Sequence, residues 1–156
     1  GVVITPPLDV RAKIEGLHIA YRLMDLDIPF VYSSVHTASK TVRKRPEVVQ
    51  RMVAAFAESI RFVDQNPVKA KSAISKVMRV KDPASLQVAY DVYTKEIVDR
   101  RMIVPENAVA DTIERTRKGG NMIKRKPEDL YDQRFTTQLE IGGFLKELWG
   151  AEVPVR

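Results

Sequence analysis

Apolar residues recur at steps of three and four through Val49, Met52, Val53, Phe56, Ile60 and Val63. That spacing lays them along one face of an α-helix. Gln50, Arg51, Glu58 and Arg61 fall on the opposite, polar face. Pro46 marks the start, since a first-turn N–H has no partner in a helix and the proline ring already holds a helical φ. Glu47 places a negative charge at the positive end of the dipole. Asp64-Gln65-Asn66-Pro67 ends this helix and begins another.

Before this helix the pattern is β-like. Val2-Val3-Ile4 reads as a short buried strand, broken by Thr5-Pro6-Pro7. Leu8 to Glu15 reads as a helix stopped at Gly16. Leu17 to Leu23 alternates as a strand does, although the run also fits a helix, and Asp25 to Pro29 is a loop. Phe30 to Thr37 is the strongest strand, rich in aromatic, β-branched and hydroxyl residues and free of Gly and Pro. Ser39 is placed to cap a short turn through Val42.

After Pro46 the pattern predicts helices only. Pro67 opens one, with Asn66 as cap and Ala70, Ile74, Val77 and Met78 inward. Asp82-Pro83 opens the next, with a stripe of Leu86, Ala89, Tyr90, Tyr93 and Ile97. Pro105-Glu106 starts a helix to about Arg117 with Val109 and Ile113 inside. Lys126-Pro127 begins a turn holding Leu130 and Tyr131. A final helical segment holds Phe135, Leu139 and Ile141, breaks at Gly142-Gly143, and resumes with Phe144, Leu145, Leu148 and Trp149. Helix-opening prolines at 46, 67, 83, 105 and 127 lie 21, 16, 22 and 22 residues apart, without a shared apolar template, so no repeat is assigned. The domain reading is residues 1–37 as one part and 38–156 as a helical part.

Composition narrows the function classes. A chain of 156 residues can bury roughly 70% of its unfolded surface in one domain. No window carries the roughly 18 apolar residues that crossing a bilayer requires. There is no Cys, which removes disulfides, thiolate metal sites and Cys nucleophiles. The chain opens on a β-like run with neither methionine nor a signal region, as a piece of a longer protein does. The net charge is +6, and Arg115, Arg117, Lys118, Lys124, Arg125 and Lys126 account for the whole excess. Such a run can mark a nucleic-acid surface. Here it also fits a solvated helix end, with cations before Gly119-Gly120. Lys40, Arg43, Lys44 and Arg45 form a second cluster.

The catalytic and metal constellations are missing. His18 and His36 are the only histidines and lack the spacing of a ligand set. Gly119-Gly120-Asn121 lacks the strand and the Lys-Ser/Thr of a phosphate loop. Ser33-Ser34 has no nucleophile-elbow glycines. No catalytic residue, metal or cofactor is assigned. Thr5, Pro6 and Pro7 join a strand end to a helix start, the rim where α/β sheets collect anions and polar groups, and where a plain β–α connection also fits.

The order of these features resembles the substrate-binding proteins of ABC importers, in the NMT1/THI5-like group akin to the sulfonate, taurine and nitrate binders. The likeness rests on the Pro-containing loop after the first strand and the helix ending at Gly16. It continues through Asp25-Leu26-Asp27-Ile28-Pro29-Phe30, the basic segment leading into Pro46-Glu47-Val48-Val49, Asn66-Pro67, Lys126-Pro127-Glu128-Asp129-Leu130 and Gly143-Phe144-Leu145. The resemblance implies a helix-rich α/β chain, the C-terminal portion of a type II periplasmic-binding-protein fold with two lobes. Residues 1–37 would be the end of the second lobe and the return crossing strand, and 38–156 would pack on the first lobe. It further implies a non-enzymatic solute receptor that delivers a small polar or anionic molecule to a membrane permease. Its location would be periplasmic or otherwise outside the cytoplasm, with a lipoprotein tether as one form. Thr5, Pro6, Pro7, Tyr32, Ser33 and Ser34 would line the cleft, without cofactor or metal. A homodimer of the fragment would cover its open apolar strands. Two alternatives stand beside this: a thiamin-pyrimidine-synthase-like enzyme of the same fold, and a basic helical nucleic-acid-binding or scaffold protein.

Overall fold

Proline punctuates the helical part as its fixed φ and missing N–H require. A computed structural model describes residues 1–5, 8–26, 28–31, 33–150 and 153. Its helices are α1 Leu8–Ile14, α2 Ser39–Lys44, α3 Pro46–Gln65, α4 Pro67–Met78, α5 Pro83–Val92, α6 Glu106–Lys118, α7 Arg134–Ile141 and α8 Phe144–Trp149. Short 3₁₀ turns cover Leu23–Asp25 and Pro127–Asp129, and a π-helical turn, Tyr93–Ile97, follows α5. The chain is helix-rich, as its periodicity predicts.

The strands are the main correction. Among the described residues no strand forms, and Val2–Ile4, Leu17–Arg22 and the described part of Phe30–Thr37 run without ladder hydrogen bonds. A helix closes its hydrogen bonds within itself, whereas a strand needs a neighbour. These segments do not pair with one another, so their β-rich sequences stay extended or irregular.

The described contacts divide into two units. One comprises residues 1–25 and 59–98. Within it α5 packs against α1 and α4. Ala70 and Ala89 are buried, and their small side chains allow a close approach of the backbones. The Tyr90 hydroxyl donates to the carbonyls of Val63 and Asp64, both at 3.2 Å, which satisfies a buried O–H with carbonyls at the end of α3. A polar chain runs along the surface: Lys71 donates to Gln87 at 2.9 Å, Gln87 to Asp91 at 2.9 Å, and Lys95 pairs with Asp91 at 2.7 Å. Arg22 reaches Glu96 on the π turn at 3.0 Å.

The other unit comprises residues 26–58 and 99–156. Its centre is Ala57 with Leu139 and Leu145, surrounded by Val53, Ala54, Met102, Phe144, Leu148 and Trp149. The Arg100 guanidinium lies 4.6 Å from the Trp149 ring centroid, a cation–π contact. Arg101 pairs with Glu140 at 2.8 Å. Met102 takes a left-handed φ of 54°, a conformation disfavoured for a residue with a side chain. The Asp99 carboxylate holds that turn by accepting from the Arg101 and Ile103 N–H groups at 3.0 and 2.8 Å. Between α7 and α8, Gly143 turns the chain at φ 78°.

Several inward assignments shift. Met52 and Phe56 of the α3 stripe are exposed, because Ala57 faces Leu139 and Leu145 instead. Val77 and Met78 are exposed at the end of α4, and Ile141 is 82% exposed at the end of α7. Asn66 does not cap α4 with its side chain; its amide Nδ2 donates back to the Phe62 carbonyl at 2.9 Å. Ser39 lies inside α2, whose N-cap is Ala38, and that helix runs on to Lys44. Asp82 does cap α5, accepting from the Ser85 N–H at 2.7 Å.

Two measurements test this architecture. Leu145 is 2% exposed, so Leu145→Ala is expected to cost about 2–5 kcal/mol in urea unfolding. Ile141→Ala, at an exposed site, should stay within about 0.5 kcal/mol. Equal effects would contradict the packing described. The second concerns Asp82, whose carboxyl is held below its ordinary range by the Ser85 backbone N–H, then the Ser85 side chain, then the Ala84 N–H. Folding lowers this pKa, so the stabilisation is present above the ordinary carboxylate range and is lost as pH falls through the lower folded value. Asp82→Ala should therefore lower the urea midpoint at pH 7. The gap from the parent chain should close as pH drops below about 4.

Candidate functional site

Three of the sequence-derived site residues lie where their surroundings can be read. Thr5 is exposed, and its carbonyl accepts from the Leu8 N–H at 3.0 Å. That bond occupies one donor at the start of α1, and Asp9 brings a negative charge into the first turn. Pro6, Pro7 and Tyr32 lie outside the described residues.

Ser33 and Ser34 are both exposed on the extended segment before α2. The structure separates them chemically. Ser34 Oγ and His36 Nε2 lie 2.9 Å apart, a hydrogen bond whose direction depends on the tautomer. Residues two apart on an extended chain share a face, and Ser34 and His36 have that spacing while Ser33 holds the alternate position. A hydrolase would need a group orienting the ring and donors for an oxyanion. No carboxylate is hydrogen-bonded to His36 among the described residues, and the pair has the character of a hydrogen-bonding group. Reading His36 as an ordinary strand residue missed this contact, although its spacing from Ser34 carried the signal.

The two basic clusters differ in a way their composition does not show. In the 115–126 run, Arg115 pairs with Asp111 and Lys118 with Glu114 across one helical turn, and Arg117 donates to the carbonyl of Ile123 at 2.9 Å. Lys126 lies 3.8 Å from Glu128. Asp111 raises the pKa of the Arg115 guanidinium, first through a hydrogen bond and then through its charge. The run is thus compensated in part, at Arg115, Lys118 and Lys126, while the Lys124 and Arg125 side chains form no ion pair among the described residues. By contrast, Lys40, Arg43, Lys44 and Arg45 are exposed and form no ion pair among the described residues. The sequence from 28 to 46 holds no acidic residue at all.

Elsewhere, α3 and α7 enclose a groove of about 290 Å³ lined by Pro46, Glu47, Gln50, Arg134, Phe135 and Gln138. This is at the small end for a ligand site. Gln50 Nε2 donates to the Phe135 carbonyl at 3.1 Å and Arg134 makes three contacts with the Asp132 carboxylate, while the buried Gln50 Oε1 has no hydrogen-bond partner among the described residues. No group of His, Asp and Glu suited to a metal ion occurs among the described residues. No described helix is long and apolar enough to cross a membrane.

The extended segments themselves are the most open part of the structure. Val2 and Val3 are 82% and 81% exposed, and Phe30 is 67% exposed. In the 156-residue chain their amides are expected to exchange with solvent deuterium at near-unstructured rates, while the centre of α3 is protected. Protection of residues 2–4 or 33–37 comparable to α3 would mean that these segments are paired.

Comparison with protein-family models, with curated proteins and with solved structures gives no match to the chain.

Proposed function

We propose that the chain is the C-terminal portion of a solute-binding protein of an importer, with a type II two-lobe fold. It would capture a small polar or anionic molecule and present it to a membrane permease outside the cytoplasm. The observation that carries this reading is the contrast between well-formed helical units and three β-rich segments left without a ladder. Apolar side chains such as Val2, Val3, Leu17, Tyr21 and Phe30 stand in solvent on those segments. They have the composition of sheet strands and form no ladder among the described residues, as a crossing strand and the edge of a lobe would without their partner strands. A second copy covering the same faces would answer the same need, and light scattering after size exclusion reads that state directly.

The nucleic-acid alternative draws on the 115–126 run, and the compensation of that run by Asp111, Glu114 and backbone carbonyls reduces its support. The enzyme alternative would need a reactive His with a Cys-rich segment, and the chain supplies no Cys.

The test is a thermal-shift screen of the full-length protein against alkyl sulfonates, nitrate, pyrimidines and aromatic acids. A ligand present at about 100 Kd stabilises the native state by about 2.7 kcal/mol, a shift of several degrees. A response to one chemical class supports the receptor reading. No response to any of them, with a salt-steep response to nucleic acid, overturns it in favour of the basic run.

A further inference from the structure

Resting on that receptor reading, we propose that Ser34 and His36 act together as the subsite that grips an oxyanion head of the solute, and that Ser33 does not. The pair is 2.9 Å apart and exposed on one face of the extended segment. Its donor capacity is the same in kind for either tautomer of a neutral imidazole. If Ser34 donates to Nε2, the ring carries its proton on Nδ1, which is left to donate outward. If Nε2 donates to Oγ, the Ser34 hydroxyl proton is the one left outward. Either way one N–H or O–H donor is directed away from the pair, suited to a carboxylate or sulfonate oxygen. Neither residue makes a further side-chain hydrogen bond among the described residues.

A second observation points to the same chemistry. The chain continues from His36 through Lys40, Arg43, Lys44 and Arg45, exposed cations without an ion pair among the described residues. Four residues of backbone span at most about 14 Å, so Lys40 lies within about two physiological screening lengths of His36. No acid occurs between residues 28 and 46, so the charges this stretch itself carries are all positive. The cations attract the anion and the Ser34–His36 pair fixes the position of its oxygens. The pair thus distinguishes solutes ending in an acceptor oxyanion from neutral ones.

The experiment is calorimetric titration of the full-length protein with methanesulfonate, benzoate and neutral cytosine. It uses the parent protein and the variants Ser34→Ala, His36→Ala and Ser33→Ala. Exposed positions make these variants well suited to folding, and circular dichroism melting checks that they do. Loss of a hydrogen bond to a charged group corresponds to about 10- to 100-fold in affinity. The expected result is such a loss for the oxyanion probes in the Ser34 and His36 variants, with Ser33→Ala within about twofold. Ring ¹⁵N shifts of His36 should also move on adding the oxyanion probe to the parent protein. Oxyanion binding that survives unchanged in both variants overturns the subsite and leaves the receptor reading standing. Binding of cytosine alone does the same. A parent protein that binds none of these probes, and none of the wider panel above, overturns both.

Discussion

An extended backbone cannot satisfy its own hydrogen bonds, and this constraint divides the molecule. Every helix from α2 onward completes its ladder from residues three or four positions away. The three β-rich segments before α2, unlike α1, have the composition of strands but no second strand beside them. Their apolar residues remain in solvent for the same reason, since a sheet face is buried only after the sheet exists. The proposed receptor fold would give that mismatch a physical explanation, since its sheet would supply the pairing strands.

The helical units show what local sequence can complete unaided. Leu145 and Leu139 pack on Ala57, and the surrounding Val53, Phe144, Leu148 and Trp149 close the cluster. The turn leading into it is over-determined, with Asp99 holding two backbone donors while Met102 adopts a left-handed conformation. In the other unit Tyr90 carries a comparable load by answering two carbonyls at the end of α3. These are buried polar groups with partners, the condition under which burying them is tolerable.

Electrostatics follows spacing more than composition. In the 115–126 run Arg115 and Lys118 sit four residues from acids on α6 and Arg117 reaches carbonyls in the turn beyond, so part of the run's field is offset locally. Although Glu47 follows Arg45 by two positions, the smaller cluster after His36 forms no ion pair among the described residues. Its charge is available to an outside anion, beside the Ser34–His36 pair. A net charge of +6 is therefore a poor guide to where an acidic partner or ligand would settle.

The sequence by itself determined the helices and their starts, because capping and periodicity act over one to four residues. Pro46, Pro67 and Pro83 open helices, Asp82 caps α5, and Gly142-Gly143 interrupts the last segment. It also showed that Ser33 and Ser34 lie in a polar-edged extended run. Tertiary structure decided which way each helix turns: Ala57 displaced Met52 and Phe56 from the buried face, since a methyl side chain admits Leu139 and Leu145 where larger ones would hold them off. It likewise decided that β-rich segments stay unpaired, that one basic cluster is compensated in part and the other is not, and that Ser34 has His36 as its partner. Burial, pairing and charge compensation depend on neighbours that the chain brings together only by folding.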